Sequence, residues 1–198
     1  MTPFIHLTSV AVPIQGPNMD TDQIIPARYL SRARNVGFAD GLFRDLRYAA
    51  DGAEKPGFIL NREPYRSGKI LVGERNFACG SSREHAVWAL LDYGVRAVLA
   101  PSFGDIFYTN SLKNGLLPIR LPGAVIGQLL ERLLREAGDV DIDLPSQQAR
   151  LPDGSVHDFD IDPYSKHCLL NGLDDIDYTL SQLGPIEAFE QRYGRENS

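Results

Sequence analysis

From residue 69 onward the chain alternates short apolar runs with stretches of helical periodicity, and no other feature constrains its fold as tightly. Lys69 to Val72 reads as a strand. Arg83 to Tyr93 places Ala86, Val87, Leu90 and Leu91 on one side and has Gly94 just past its end, the pattern of a helix stopped by a glycine. Val95 to Ala100 reads as a buried strand and Ser102 to Asn114 as a second helix closed by Gly115. Leu116 to Leu121 is the next strand and Ile126 to Ala137 an amphipathic helix. Strands joined through helices run parallel, so the expected class is α/β with a largely parallel central sheet.

The flanks are read less sharply. Phe4 to Ile14 alternates as a strand with Ile5, Leu7, Val10 and Val12 facing inward. Asp139 to Leu144 and Gln148 to Ile161 read as a hairpin turning at Pro152-Asp153-Gly154, and Ser165 to Tyr193 as helices interrupted at Gly184-Pro185. Residues 28 to 68 are the least regular part, with Arg28, Arg32, Arg34, Arg44 and Arg47 among scattered aromatics and an exposed turn from Ala49 to Gly57. So long an irregular stretch is expected to be mobile and either functional or disordered. The 198 residues suffice for one well-packed domain, taken as 1–198.

Composition narrows the function. A net charge of −6 argues against nucleic acid or an anionic membrane as partner. No apolar run approaches a membrane span, and Met1 to Ile14 lacks the marks of a signal peptide, so the cytoplasm is the expected compartment. The two cysteines, Cys79 and Cys168, form no CxxC pair and cannot fill the four thiolate positions of a usual iron–sulfur cluster.

Three runs carry chemistry. The first, Gly73-Glu74-Arg75-Asn76-Phe77-Ala78-Cys79-Gly80-Ser81-Ser82-Arg83-Glu84-His85, joins a strand to a helix. Ser81 and Glu84 have capping-box spacing, the plain structural explanation. Against it, Gly80 lets a ligand approach the backbone, and the helix N-terminus favours an anion. Arg83 adds a carboxylate-binding fork where a cation works against the helix dipole. The run therefore reads as an acid-binding loop in which Ser81 or Ser82 is a candidate base. A Cys79–His85 nucleophile pair and a phosphate-binding loop fit poorly, and His85 and Trp88 are expected to pack locally. The second run, Asp20-Thr21-Asp22-Gln23-Ile24-Ile25-Pro26, is either an Asx-type turn or a loop that points Asp22 into the site. The third, Ala100 to Ser111, offers Asp105, Thr109 and Asn110 as one wall of a pocket, although capping and surface polarity explain them nearly as well.

Together with Asn114-Gly115-Leu116-Leu117-Pro118, these runs resemble, in order and spacing, the swivelling domain of the aconitase superfamily. Tyr164-Ser165-Lys166-His167-Cys168-Leu169-Leu170-Asn171-Gly172-Leu173-Asp174-Asp175-Ile176 and the ending Ile186-Glu187-Ala188-Phe189-Glu190 resemble more narrowly the small subunits of bacterial isopropylmalate dehydratases. The resemblance spans Phe4 to about Tyr193. It implies a swivelling β/β/α domain that closes over a large subunit, and that partner would carry the [4Fe–4S] cluster, with no cofactor bound by this chain. It also implies a hydro-lyase converting 2-isopropylmalate to 3-isopropylmalate through isopropylmaleate in leucine biosynthesis. By the same carry-over Ser81 is the base, Arg83 grips a substrate carboxylate and steadies the serine anion, and Asp22 supports the hydrogen-bond network. Thr21, Arg28, Gly80 and Ser82 are assigned to substrate binding, although neither Arg28 nor Arg32 or Arg34 matches the arginine that grips a third carboxylate in aconitase. The irregular segment at about 29–58 would then decide side-chain specificity. The alternatives are a paralogue acting on citraconate, maleate or homoaconitate, and, more distantly, an acid-binding module without catalysis.

Overall fold

In the computed structural model, which describes residues 1–80, 82–184 and 190, seven strands form one sheet in the order β4-β3-β2-β1-β5-β6-β7. They are β1 (His6–Ile14), β2 (Ile70–Gly73), β3 (Ala97–Ala100), β4 (Leu117–Arg120), β5 (Asp139–Asp143), β6 (Gln148–Arg150) and β7 (Val156–Asp158). The helices are the short α1 (Thr21–Ile24) and α2 (Arg44–Arg47), then α3 (Glu84–Tyr93), α4 (Asp105–Asn114), α5 (Gly123–Arg135), α6 (Pro163–Asn171) and α7 (Asp175–Ser181).

β1 is the seam of the sheet. Its second half, Ala11 to Ile14, runs parallel to β2, and its first half, His6 to Val10, runs antiparallel to β5. The half from β1 to β4 is parallel throughout, as crossover helices require; the half from β5 to β7 is an antiparallel meander. The Pro152–Gly154 turn lies between β6 and β7, and a separate turn at 144–147 joins β5 to β6, so the expected hairpin is three strands rather than two.

Alternation along the parallel strands divides the interior between two faces. Leu71, Val98, Val12 and Ile14 point to one core, while Ile70, Val72, Ala97, Leu99 and Ala11 point to the other. A parallel sheet buried on both sides needs two covers. On one face α5 lays down Ile126, Leu129, Leu130 and Leu133, the i, i+3, i+4, i+7 stripe of an amphipathic helix. On the other lie α3, through Ala86, Val87 and Leu90, and the irregular segment.

That segment, irregular as expected, is packed against the rest of the domain through its own contacts. Phe38, Leu42, Phe43 and Leu60 are fully buried in the α3-side core. The arginines fasten its exterior. Arg28 forks onto Asp45 at 3.0 and 2.5 Å, Arg32 onto Asp40 at 2.5 and 3.1 Å, and Arg34 onto Asp92 of α3 at 2.8 and 2.9 Å. Arg66 grips Glu54 at 2.9 and 2.6 Å, and buried Arg47 donates to Asn61 at 3.1 Å. Hydrogen bonds from these arginines hold the carboxyls of Asp40, Asp45 and Glu54 below their ordinary range. A depressed carboxyl contributes stability above its unfolded pKa and loses it as pH falls through the folded one. Amide protection factors of residues 28–66 should therefore fall below about pH 4, ahead of those of the β1–β4 strands, and be flat between about pH 5 and 7. A uniform fall across sheet and segment would show that these pairs hold nothing in particular.

The tail forms α6 and α7 up to Ser181, and Pro185 and residues 186–189 and 191–193 of the helix expected beyond it lie outside the described residues.

Candidate active site

Three loops leave the C-terminal ends of β1, β2 and β3 on one edge of the sheet, the edge where α/β proteins build their sites. They are laced side by side by backbone hydrogen bonds. The Cys79 N–H donates to the Met19 carbonyl, and the Thr21 N–H to the Cys79 carbonyl, both at 2.9 Å. On the other flank the Phe77 N–H donates to the Ser102 carbonyl and the Gly104 N–H to the Phe77 carbonyl, again at 2.9 Å. The β2–α3 loop is thus the middle member of a short parallel ladder that extends the sheet beyond its strands.

The backbone needs uncommon conformations to do this. Asn18, Asn76, Ala78 and Gly80 all have left-handed φ, at 57°, 59°, 56° and 91°. Asparagine tolerates that region and alanine does so rarely. The two asparagines also bond each other, Asn76 Nδ2 donating to Asn18 Oδ1 at 3.0 Å, and the Asn76 N–H reaches Ser102 Oγ at 2.8 Å. Neither asparagine was singled out in the sequence, although an Asn beside a motif glycine is a usable sign of a left-handed turn. At Gly80 a Cβ would strike the Asp20 carboxylate. The opening that the sequence suggested for a ligand is filled here by the protein's own acid.

Asp20 explains why α1 starts where it does. Its carboxylate accepts the Asp22 N–H at 2.8 Å, and the Gln23 side chain returns to the Asp20 N–H at 2.9 Å, a reciprocal capping box. The capping box expected at Ser81 and Glu84 is not the start of α3, which begins at Glu84 with Arg83 as an extended N-cap. Glu84 instead accepts a hydrogen bond from Asn114.

With Asp20 committed to the cap, Asp22 turns outward and pairs with Arg83 across the two loops. The Arg83 side chain is only 16% exposed while that of Asp22 is 49% exposed, so a largely buried guanidinium faces a carboxylate open to solvent. The other sequence-selected residues divide. Ser82 is exposed next to Arg83, and Thr21 is buried with its hydroxyl 3.5 Å from an Asp20 oxygen. Ser81 lies outside the described residues. The described contacts of Arg28 are with Asp45 and the Tyr29 ring, away from the Cys79–Arg83 loop. Thr109 bonds the Asp105 carbonyl of its own helix at 3.1 Å and both are exposed, so for them the plain helical explanation stands. His85 and Trp88 pack as expected, His85 meeting Phe38 edge-on at 5.4 Å and Trp88 at 4.7 Å.

On the α5 side of the same loops lies a groove of about 460 Å³ lined by Gln15, Glu74, Arg75, Pro101, Ile126 and Leu130 among others. Among the described residues no group of three or more His, Cys, Asp or Glu side chains is placed to hold a metal ion. Among the described residues no helix is long and apolar enough to cross a membrane.

Residues 1–124 match the family described as the aconitase C-terminal domain, a stretch that covers β1 to β4 and all three loops. The chain belongs to the aconitase family. Within it, the chain is 52% identical over 193 residues to the 3-isopropylmalate dehydratase small subunit of Afipia carboxidovorans, covering 97% of this chain and 96% of that one. It is 50% identical over 199 residues to the protein of the same name from Nitrobacter hamburgensis, covering 100% and 99%. A crystal structure of 3-isopropylmalate dehydratase from Methanocaldococcus jannaschii superposes with a TM-score of 0.68 at 25% identity, over 94% of this chain and 99% of that one. This aconitase-family chain therefore has the fold and the length of a dehydratase small subunit.

Proposed function

We propose that the chain is the small subunit of a heteromeric hydro-lyase that interconverts 2- and 3-isopropylmalate through isopropylmaleate in leucine biosynthesis, working in the cytoplasm. The observation that carries this is similarity over the full length of dehydratase small subunits, with the Asp22–Arg83 pair assembled on the ligand-binding edge of the sheet.

Dehydration at a carbon beside a carboxylate needs a base for the carbon-bound proton, help for the departing hydroxide, and a grip on the acid. Arg83 supplies the grip. Only Nη1 is engaged by Asp22, which leaves further N–H donors of a rigid fork for a carboxylate. Asp22 holds the guanidinium in place and offsets its charge until an acid arrives. By family resemblance Ser81 takes the proton, and Ser82, Gly80 and Thr21 are assigned to substrate binding. Help for the hydroxide is not in this chain's donor set. Cys79 sits in the β2–α3 loop and Cys168 in α6, two thiols on separate elements where a [4Fe–4S] cluster takes more. We assign the cluster to the large subunit.

The segment at about 29–58 is taken to choose the substrate's side arm. Arg28, Arg32 and Arg34 are each already forked onto a carboxylate of this chain. A third substrate carboxylate that turned to these three arginines, as in a homoaconitate-type substrate, would have to displace a carboxylate of this chain, whereas an alkyl arm displaces none.

The test is anaerobic turnover of 2-isopropylmalate by this chain mixed with its cognate cluster-loaded large subunit. Turnover is expected in the mixture alone, with Arg83→Lys raising KM on the order of tenfold because an ammonium cannot fork. A mixture with an intact cluster that turns over citraconate or maleate but not isopropylmalate would move the assignment to that paralogue.

A further inference from the structure

We propose that Asn114 is a positioning residue for Arg83, acting through Glu84; the inference rests on the dehydratase reading above and names an unassigned part of its machinery. Arg83 stands at an N-cap with extended backbone, φ −124° and ψ 102°, and its own side chain makes no capping hydrogen bond to that turn. Its guanidinium is tied to Asp22, but its backbone is steadied from the opposite side. The carboxylate of Glu84, the first residue of α3, accepts a hydrogen bond at 2.8 Å from Nδ2 of Asn114, the last residue of α4. The same amide nitrogen donates to the Asn110 carbonyl at 2.9 Å, and Asn114 Oδ1 accepts Nε1–H of Trp88 at 3.0 Å.

An indole N–H only donates, so Trp88 fixes which end of the amide faces it and sends the NH₂ group toward Glu84. Glu84 and Trp88 are four residues apart, one turn along one face of α3. Asn114 therefore clamps the first turn at two points with one planar group. Ala86, Val87 and Leu90 hold the inner face of α3 in the core, and the Asn114 contacts tether its first residue and the residue one turn on. Because Arg83 precedes Glu84 directly, the clamp sets the direction from which the guanidinium reaches Asp22 and an incoming carboxylate. The sequence reading placed Glu84 in a capping box and Trp88 in general packing, so neither was linked to Arg83.

The test uses the reconstituted, cluster-loaded enzyme. Glu84→Leu removes the α3 end of the clamp while leaving the Asn114–Trp88 bond. It should raise the KM for isopropylmalate about tenfold and lower kcat less, the scale of one hydrogen bond to a charged group. Glu84→Gln keeps an acceptor at the same place and should return KM to within about twofold of wild type. In an Arg83→Lys background the Glu84→Leu change should add nothing further, because both act on one guanidinium. On the free chain, the Arg83 Nε–H resonance should move in Glu84→Leu and stay put in Glu84→Gln, a readout independent of the dehydratase assignment. Equal losses in the two arginine backgrounds, or an unmoved Arg83 resonance in folded Glu84→Leu, would overturn the proposal.

Discussion

Replacing Ser81 with alanine should reduce turnover of the reconstituted enzyme by about 10²- to 10⁴-fold, the usual contribution of a positioned base. Association with the large subunit and the KM for isopropylmalate should change little, since Arg83 still supplies the carboxylate grip. The split matters because two serines are adjacent. Ser82 is exposed beside Arg83, so Ser82→Ala should cost far less than Ser81→Ala. Comparable losses from the two would move the base to Ser82 or spread its task over both hydroxyls. Full activity in Ser81→Ala would end the assignment taken from the family.

The second large effect is expected from Gly104→Ala. Its Cβ would come 2.5 Å from the Ala78 carbonyl oxygen, and the obstacle is backbone that cannot swing aside. Ala78 is already in a left-handed conformation, at φ 56°, so its carbonyl has little room to adjust. The β3–α4 loop must then lift away, which breaks the ladder formed by Phe77, Ser102 and Gly104. We expect a loss of about 1–3 kcal/mol in unfolding free energy, the range for inserted bulk at a packed site. Activity should fall further than stability does, because the β2–α3 loop that loses this flank runs on from Phe77 and Ala78 into Gly80 and Arg83. The comparison is Gly127→Ala in α5, where a Cβ meets open space and alanine favours the helix. If both substitutions leave denaturation midpoints and turnover alike, the three-loop ladder does not set the site.

How much of this was legible in advance follows from how far apart the interacting residues lie. The α3, α4 and α5 helices and the strands between them emerged from local periodicity, with ends displaced by no more than three residues, because α5's stripe and the glycines after α3 and α4 are local signals. The irregular segment was not legible. Its short turns have no sustained period, and Phe38, Leu42 and Phe43 are inserted one by one into a core built by distant strands. The placement of β1 between β2 and β5 is likewise non-local, and nothing in its alternation says that it faces two neighbours of opposite direction. At the site, some of the chosen residues meet and others are engaged elsewhere. Asp22 and Arg83 were chosen independently and are 61 positions apart, yet they meet. Asp20 was read only as a turn residue, and it occupies the space beside Gly80 that had been reserved for a ligand. Arg28 was assigned to substrate binding, and its guanidinium is forked onto Asp45.

The double allegiance of β1 also bears on how the molecule comes into being on the ribosome. Its parallel neighbour begins at Ile70 and its antiparallel neighbour at Asp139, so the first strand to be synthesised is the one whose pairing is finished late. Closing so long a stretch of chain is slow, because its entropy is lost before the distant contacts can compensate. A nascent chain ending near residue 124 contains β1 to β4 and every loop of the site, but leaves the His6–Val10 edge bare. An unpaired edge of that kind invites association with other chains. Folding yield, more than the stability of the finished subunit, should therefore respond to changes in the β5 partner residues Val140 and Ile142. Refolding at raised protein concentration is the condition under which the difference should be greatest.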